Sequence, residues 1–285
     1  METLKKFSNK EVTHKKENDI EYLTFNALEN EKVDCFVTLR HGGVSKDVYK
    51  SLNFRTASKD NIDNIFKNLE LLCGALKLDN KDIVKAKQSH TDNILVLDKT
   101  CKEKYEFNNL NDEEIDGYIT CDKSIIPMVV TADCNGILLY DKACNALGLV
   151  HSGWKGTVKK IYLKAIHKMK ENYNTRVEDL IVCVSPSILK CCFSSEDEEF
   201  KKIFTNSWTD EEHYIYYEKE NPKRFHIDLS YVITKDLLEC GVKKENIHFA
   251  GICTCCNHED FYSFRHKTQV GESDYGLMAT IAKLK

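Results

Sequence analysis

Three residues stand out for the chemistry their side chains could do together. Cys134 lies in "TADCNGILLYD" (131–141), just after the apolar run "PMVV". His151 opens "HSGWKGT" (151–157), directly after "ALGLV". His90 sits in "KQSHTDNILVLD", at another break between apolar segments. Short apolar runs of this kind read as buried strands, and in α/β proteins functional groups collect where strands end. A His/Cys/His set is the donor type of a catalytic zinc site, which commonly has three N or S protein ligands and one open position. The spacings of 44 and 17 residues are too long for a local finger motif, so spacing leaves the alternatives open. An isolated cysteine also serves as a small core residue. A histidine at a strand end also serves as a plain hydrogen-bonding group. A Cys134 nucleophile with His151 as its base, needing no metal, fits the same residues.

Such residues need elements to hold them. "EYLTFNAL" and "VDCFVTLR" read as a strand pair around the polar turn "ENEK". Ile62, Ile65, Leu69 and Leu72 recur at helical spacing in "NIDNIFKNLELLCGALKL". "DIVKAKQSHTDNILVLD" predicts two strands broken at Gln88-Ser89-His90. "CDKSIIPMVVTADCNGILLYD", "ACNALGLVHSG", "DLIVCVSPSI", "NIHFAG" and "FYSFRH" predict further strands. "TVKKIYLKAIHKMKENY" predicts one amphipathic helix, "EDEEFKKIFTNS" a short helix, and "FHIDLSYVITKDLLECGV" a helix with a strand-like start. Residues 1–20 are polar and read as a frayed segment or a surface strand. Residues 21–285 read as one mixed α/β domain, with no repeat period and no linker.

Composition narrows the function classes. A chain of 285 residues, 42% hydrophobic and 30% charged, can bury a substantial core. Its net charge of −4 gives no basic footprint for nucleic acid. No apolar run approaches the roughly 20 residues of a membrane helix. The N-terminal stretch lacks the apolar centre of a signal peptide. A cytoplasmic protein is expected, without nucleic-acid or membrane partners. Its 13 cysteines are then reduced thiols or metal ligands, not disulfides.

Seven segments occur in a telling order: "TLRHGGVS…YKSLNF", "KQSHTDNILVLD", "DGYIT", "VVTADCNGILLYD", "GLVHSGWKGT", "SPSILKCCF" and "CTCCNHEDFYSFR". Together they resemble the YfiH/YlmD family, once described as multicopper polyphenol oxidases or laccases, over roughly residues 30 to 280. The resemblance implies a zinc-dependent purine nucleoside enzyme with His90, Cys134 and His151 as metal ligands. It implies a single-domain α/β/β/α sandwich with mixed sheets, similar to the catalytic domain of cytotoxic necrotising factor toxins.

Further residues become candidates on that basis. Arg40, beside a two-glycine loop, offers a planar fork for phosphate. Asn53 could bond a base or ribose, or fasten a turn. Gln88 could orient His90 or touch substrate. Asp133 is expected to project into the site from a bulge, or to back a ligand histidine from behind. Lys155 and His266 stand where the family usually has arginine, and Arg55 where glycine is common. Cys191, Cys192, Cys253, Cys255 and Cys256 form two clusters that could bind a second, structural zinc, although they lack the regular paired spacing of a zinc ribbon.

The implied activity is phosphorolysis of adenosine, inosine and methylthioadenosine, with adenosine deamination beside it. Its substrates would be a purine nucleoside and phosphate. A cysteine amidase acting in peptidoglycan precursor editing is the main alternative. Oxidase chemistry fits less well, because the 10 histidines include no His-x-His pair for a copper cluster. A non-catalytic zinc-binding protein is a further alternative. The oligomeric state is left open.

Overall fold

The computed structural model describes residues 1–285. Two sheets dominate it. The first has seven strands in the order Glu2–Leu4, Val12–Glu17, Ile20–Phe25, Val33–Thr38, Met278–Leu284, Ile126–Thr131 and Ile83–Val84. Neighbours are antiparallel except for the last pair, where Ile83 and Val84 run parallel to Ile126 and Pro127. The second has six strands: Ile247–Phe249, Leu180–Val184, Asn135–Asp141, Ala146–Ser152, Gly117–Thr120 and Ile94–Val96. Its outer pairs are parallel and its inner pairs antiparallel. Both sheets are therefore mixed.

Side-chain alternation explains the layering. Strand residues point to opposite faces in turn. Leu138 and Tyr140 enter a core shared with Leu23, Val37 and Val129 of the other sheet. Ile137 and Leu139 face the opposite way, onto Ile161, Ile166 and Met169 of the helix Ile161–Tyr173 and onto Ile233 and Leu237 of the helix Leu229–Cys240. On the far side, Ile65, Leu69 and Leu72 of the helix Ile62–Leu76 cover Met128, Val130 and Ile281 of the first sheet. The result is the expected α/β/β/α sandwich. No helix is long and apolar enough to cross a membrane.

Two predicted elements differ. The segment "FYSFRH" contributes a helix, Phe264–Val270, instead of a strand, because the Ser263 side chain accepts the His266 N–H and caps it. The single helix read from "TVKKIYLKAIHKMKENY" is two, Trp154–Val158 and Ile161–Tyr173, separated where Lys160 is left-handed with φ 55°. A small third sheet, Ser194–Ser195, Phe225–Ile227 and Ile215–Tyr217, packs beside them.

Candidate metal centre

Two crossings between the sheets build the site. The chain leaves the first sheet at Thr131 and enters the second at Asn135, turning through Ala132, Asp133 and Cys134. It also passes from Ile83–Val84 of the first sheet to Ile94–Val96 of the second through the loop that bears His90. His151 sits near the end of Ala146–Ser152, paired with Gly136. These placements bring His90, Cys134 and His151 together, with their ligand atoms all within 4.8 Å of one another. Cys134 Sγ lies 3.7 Å from His90 Nε2, and the two imidazoles meet edge to face at 4.9 Å between centroids.

Gly153 makes this approach possible. A Cβ there would stand 2.8 Å from Cys134 Sγ and 2.8 Å from His90 Cδ2, closer than real Cβ atoms come. The glycine therefore keeps open the space in which the thiol and the ring converge. The donor set, its spacing and this clearance all fit a single metal ion.

Asp116, just before the strand Gly117–Thr120, organises both histidines. Its Oδ1 lies 2.7 Å from His151 Nδ1, which leaves Nε2 as the free nitrogen of that ring. The same carboxylate accepts the backbone N–H groups of Ser89, His90 and Thr91 at 3.2, 3.1 and 2.6 Å, and the Thr91 hydroxyl at 2.7 Å. A fully buried carboxylate without partners would cost several kcal/mol. Burial would raise the Asp116 carboxyl, but the bond and charge of His151 and the bonds from Thr91 outweigh it and hold it at about 2. Burial likewise opposes charge on Cys134 and His151. Their mutual attraction prevails, bringing the thiol down to about 7 and, with Asp116, the imidazole up to about 9.

The three residues lie on the wall of a cavity of about 930 Å³, large enough for a small organic ligand. Trp154, Phe193, Phe200, Phe264 and Tyr275 supply aromatic surface, and Arg55, Lys85, Lys87, Lys155 and Arg265 also line it. The Lys155 ammonium lies 5.5 Å from the Trp154 ring centroid. Gln88 lines the cavity as well. Its amide donates to Val130 O at 2.8 Å and accepts from Val130 N at 2.7 Å, so it ties the His90 loop to the first sheet.

Several expectations need correction. Arg40 does not line the cavity. Its Nε donates to Lys50 O and its Nη1 to His258 O, both at 2.8 Å, and its guanidinium lies over the Tyr262 ring at 4.5 Å. Its fork donates to backbone carbonyls. Asn53 is fully buried and also lies outside the cavity lining. It donates to Asp60 and accepts from Arg55 N and Leu277 N, so it fastens a turn. Asp133 does line the cavity, at a left-handed φ of 83°, yet it does not back a histidine. Its oxygens accept from Thr254 Oγ1 at 2.6 Å, Ser263 Oγ at 3.0 Å and Arg265 N at 2.7 Å, while burial raises its carboxyl above the ordinary value. Asp116 takes the histidine role instead. Its only sequence signal was the "DG" that opens "DGYIT". His266 stacks on His258 at 3.5 Å between ring centroids, and Arg55 pairs with Asp274.

The chain belongs to the family described as multi-copper polyphenol oxidoreductase laccase, whose model matches residues 34–285. Among curated proteins it is similar to a purine nucleoside phosphorylase of Bacteroides thetaiotaomicron, 29% identical over 238 residues, or 82% of this chain and 86% of the relative. A purine nucleoside phosphorylase of Clostridium acetobutylicum is 33% identical over 218 residues, 75% of this chain and 81% of the relative. The adenosine deaminase RL5 of an unknown prokaryotic organism is 28% identical over 255 residues, 87% and 93% of the two chains. Among solved structures, Bacillus licheniformis YfiH matches with a TM-score of 0.82 at 24% identity, covering 94% of this chain and 97% of that one. YlmD from Geobacillus stearothermophilus matches with a TM-score of 0.81 at 22% identity, covering 93% and 96%. The resemblance to YfiH/YlmD proteins read from the motifs is borne out, and the chain is an enzyme of that family.

Proposed function

We propose that this chain is a zinc-dependent purine nucleoside enzyme. It cleaves adenosine, inosine and methylthioadenosine with phosphate and deaminates adenosine, with His90, Cys134 and His151 as the zinc ligands. The observation that carries this is the convergence of the three donors on the wall of an aromatic-lined cavity. The names of the relatives support the substrate class. A zinc ion held there supplies Lewis-acid charge and lowers the pKa of bound water towards neutrality.

The chain's own residues do the rest. Asp116 keeps the His151 proton at Nδ1, so that Nε2 is presented as a donor. Trp154, Phe264 and Tyr275 offer flat apolar faces to a purine. Lys155 is paired with no carboxylate and is the candidate cation for phosphate, the role first expected of Arg40. Asp133 is a positioning residue, since three donors from the 254–265 segment occupy its oxygens.

One observation favours a second reading. Cys134 lowered to about 7 beside His151 raised to about 9, with the Asp116 carboxylate behind, has the arrangement of a thiolate nucleophile, an imidazolium that holds its proton, and an orienting carboxylate. A metal-free cysteine amidase acting on a peptidoglycan precursor would use that arrangement. Incubation of zinc-replete protein with adenosine, with and without phosphate, separates the two. Adenine formed only with phosphate, and inosine formed without it, is the expected outcome. Neither product from folded, zinc-replete protein would favour the amidase.

A further inference from the structure

Away from the His90 site, a second set of soft ligands converges. Cys191 and Cys192 follow the strand Leu180–Val184, and Cys253 and Cys256 lie in the loop after Ile247–Phe249. Their four sulfurs lie within 4.8 Å of one another. Cys256 Sγ is 3.6 Å from Cys191 Sγ and 3.4 Å from Cys192 Sγ. A tetrahedral tetrathiolate zinc, with bonds of about 2.3 Å, has sulfur–sulfur edges of about 3.8 Å. These separations are near that edge and far beyond the roughly 2.05 Å of a disulfide bond. All four cysteines are free thiols.

The sequence spacing suits a four-sulfur site. Cys253-Thr-Cys-Cys256 has the two-residue spacing of a structural zinc pair, and the adjacent Cys191-Cys192 supplies the other two sulfurs. Cys255, inside the same run, is not one of the four; its Sγ lies 3.7 Å from Gln269 Oε1. Burial would raise the Cys253 thiol, but backbone N–H groups of Leu189 and Cys256 and the neighbouring thiols outweigh it and lower it. Burial and the adjacent sulfurs push Cys191 up to about 12 and Cys192 higher still. Four such sulfurs cannot all ionise without a cation between them. Hydrogen bonds already tie these segments together: Thr254 N donates to Ser187 O, and the Arg265 side chain donates through Nη1 to Cys192 O at 2.9 Å.

We propose that Cys191, Cys192, Cys253 and Cys256 bind a second, structural zinc ion that staples the 187–193 loop to the 250–263 segment. These segments carry Ile188 and Phe193 of the cavity wall, and Thr254 and Ser263, which hold Asp133.

Elemental analysis of reduced protein tests it. Cys134→Ala, which removes a ligand of the first site, should retain about one zinc per chain, and Cys134→Ala/Cys256→Ser about none. Cys191 and Cys256 are exposed, so serine there leaves the core packing intact, and Cys134→Ala/Cys191→Ser provides a second variant should the first not fold. Cobalt-loaded Cys134→Ala should show thiolate-to-metal charge-transfer bands that either serine variant abolishes. The proposal is overturned by a folded Cys134→Ala protein without zinc, or by zinc that survives both serine substitutions. Iron in place of zinc would also overturn it.

Discussion

Asp116 and Lys155 carry the residue-scale consequences. Asp116 is wholly buried and binds both the His151 ring and the backbone on each side of His90. Its charge makes His151 a better ligand, and loss of such a partner typically lowers metal affinity by about 10- to 100-fold. Asp116→Asn, nearly the same size, should show that loss in chelator competition, measured in a Cys191→Ser/Cys256→Ser background so that one zinc site is read. Unchanged affinity would remove Asp116 from the metal's support. Lys155 faces the cavity without an acidic partner, whereas Arg40 spends its donors on carbonyls. Lys155→Ala should raise the KM for phosphate by about tenfold or more, and Lys155→Arg should recover most of it. If Arg40→Ala raised that KM and Lys155→Ala did not, the assignment of the phosphate cation would be wrong.

At the scale of elements, the site depends on two crossings between sheets and on one missing side chain. Gly153 caps the short helix Trp154–Val158 and has no room for a Cβ beside Cys134 and His90. Gly153→Ala should therefore abolish metal binding and activity while circular dichroism stays that of the wild type. A variant with full metal content would show that the two ligands need not approach so closely. The strand breaks at His90 and Cys134 were legible because apolar runs such as "PMVV" end abruptly at polar residues, but that the chain changes sheets there was not. Strand existence and the apolar face of Ile62–Leu76 were legible for the same reason. The helix Phe264–Val270 was not, since seven residues give too little period to distinguish helix from strand. Nor was the break at Lys160, where no glycine marks the left-handed residue. Asp116 was missed because its partner His151 is 35 residues away and only the pairing of their strands brings them together. The hydrogen-bond partners of Arg40 and Asn53 were hidden likewise, since His258 and Leu277 lie at the other end of the chain.

For the whole molecule, the sandwich places one large cavity beside the crossings, and Lys85 on its wall reports on global stability. Burial lowers this lysine to about 8 from its ordinary 10.5. Between these values the unfolded chain binds a proton that the folded chain does not, so stability falls as pH drops from about 10.5 to about 8 and then levels off. Lys85→Met should stabilise the protein at pH 7.5, with the gain shrinking towards pH 10.5 in denaturant titrations. A gain independent of pH would mean that Lys85 is charged in the folded protein at no cost. The central claim, that one His/Cys/His centre serves both purine chemistries, is tested most directly by chromatography of the products from adenosine and phosphate, comparing zinc-replete wild type with Cys134→Ala. Adenine and inosine from the wild type, and neither from folded Cys134→Ala, is the predicted result. Adenine formed by Cys134→Ala at the wild-type rate would contradict it.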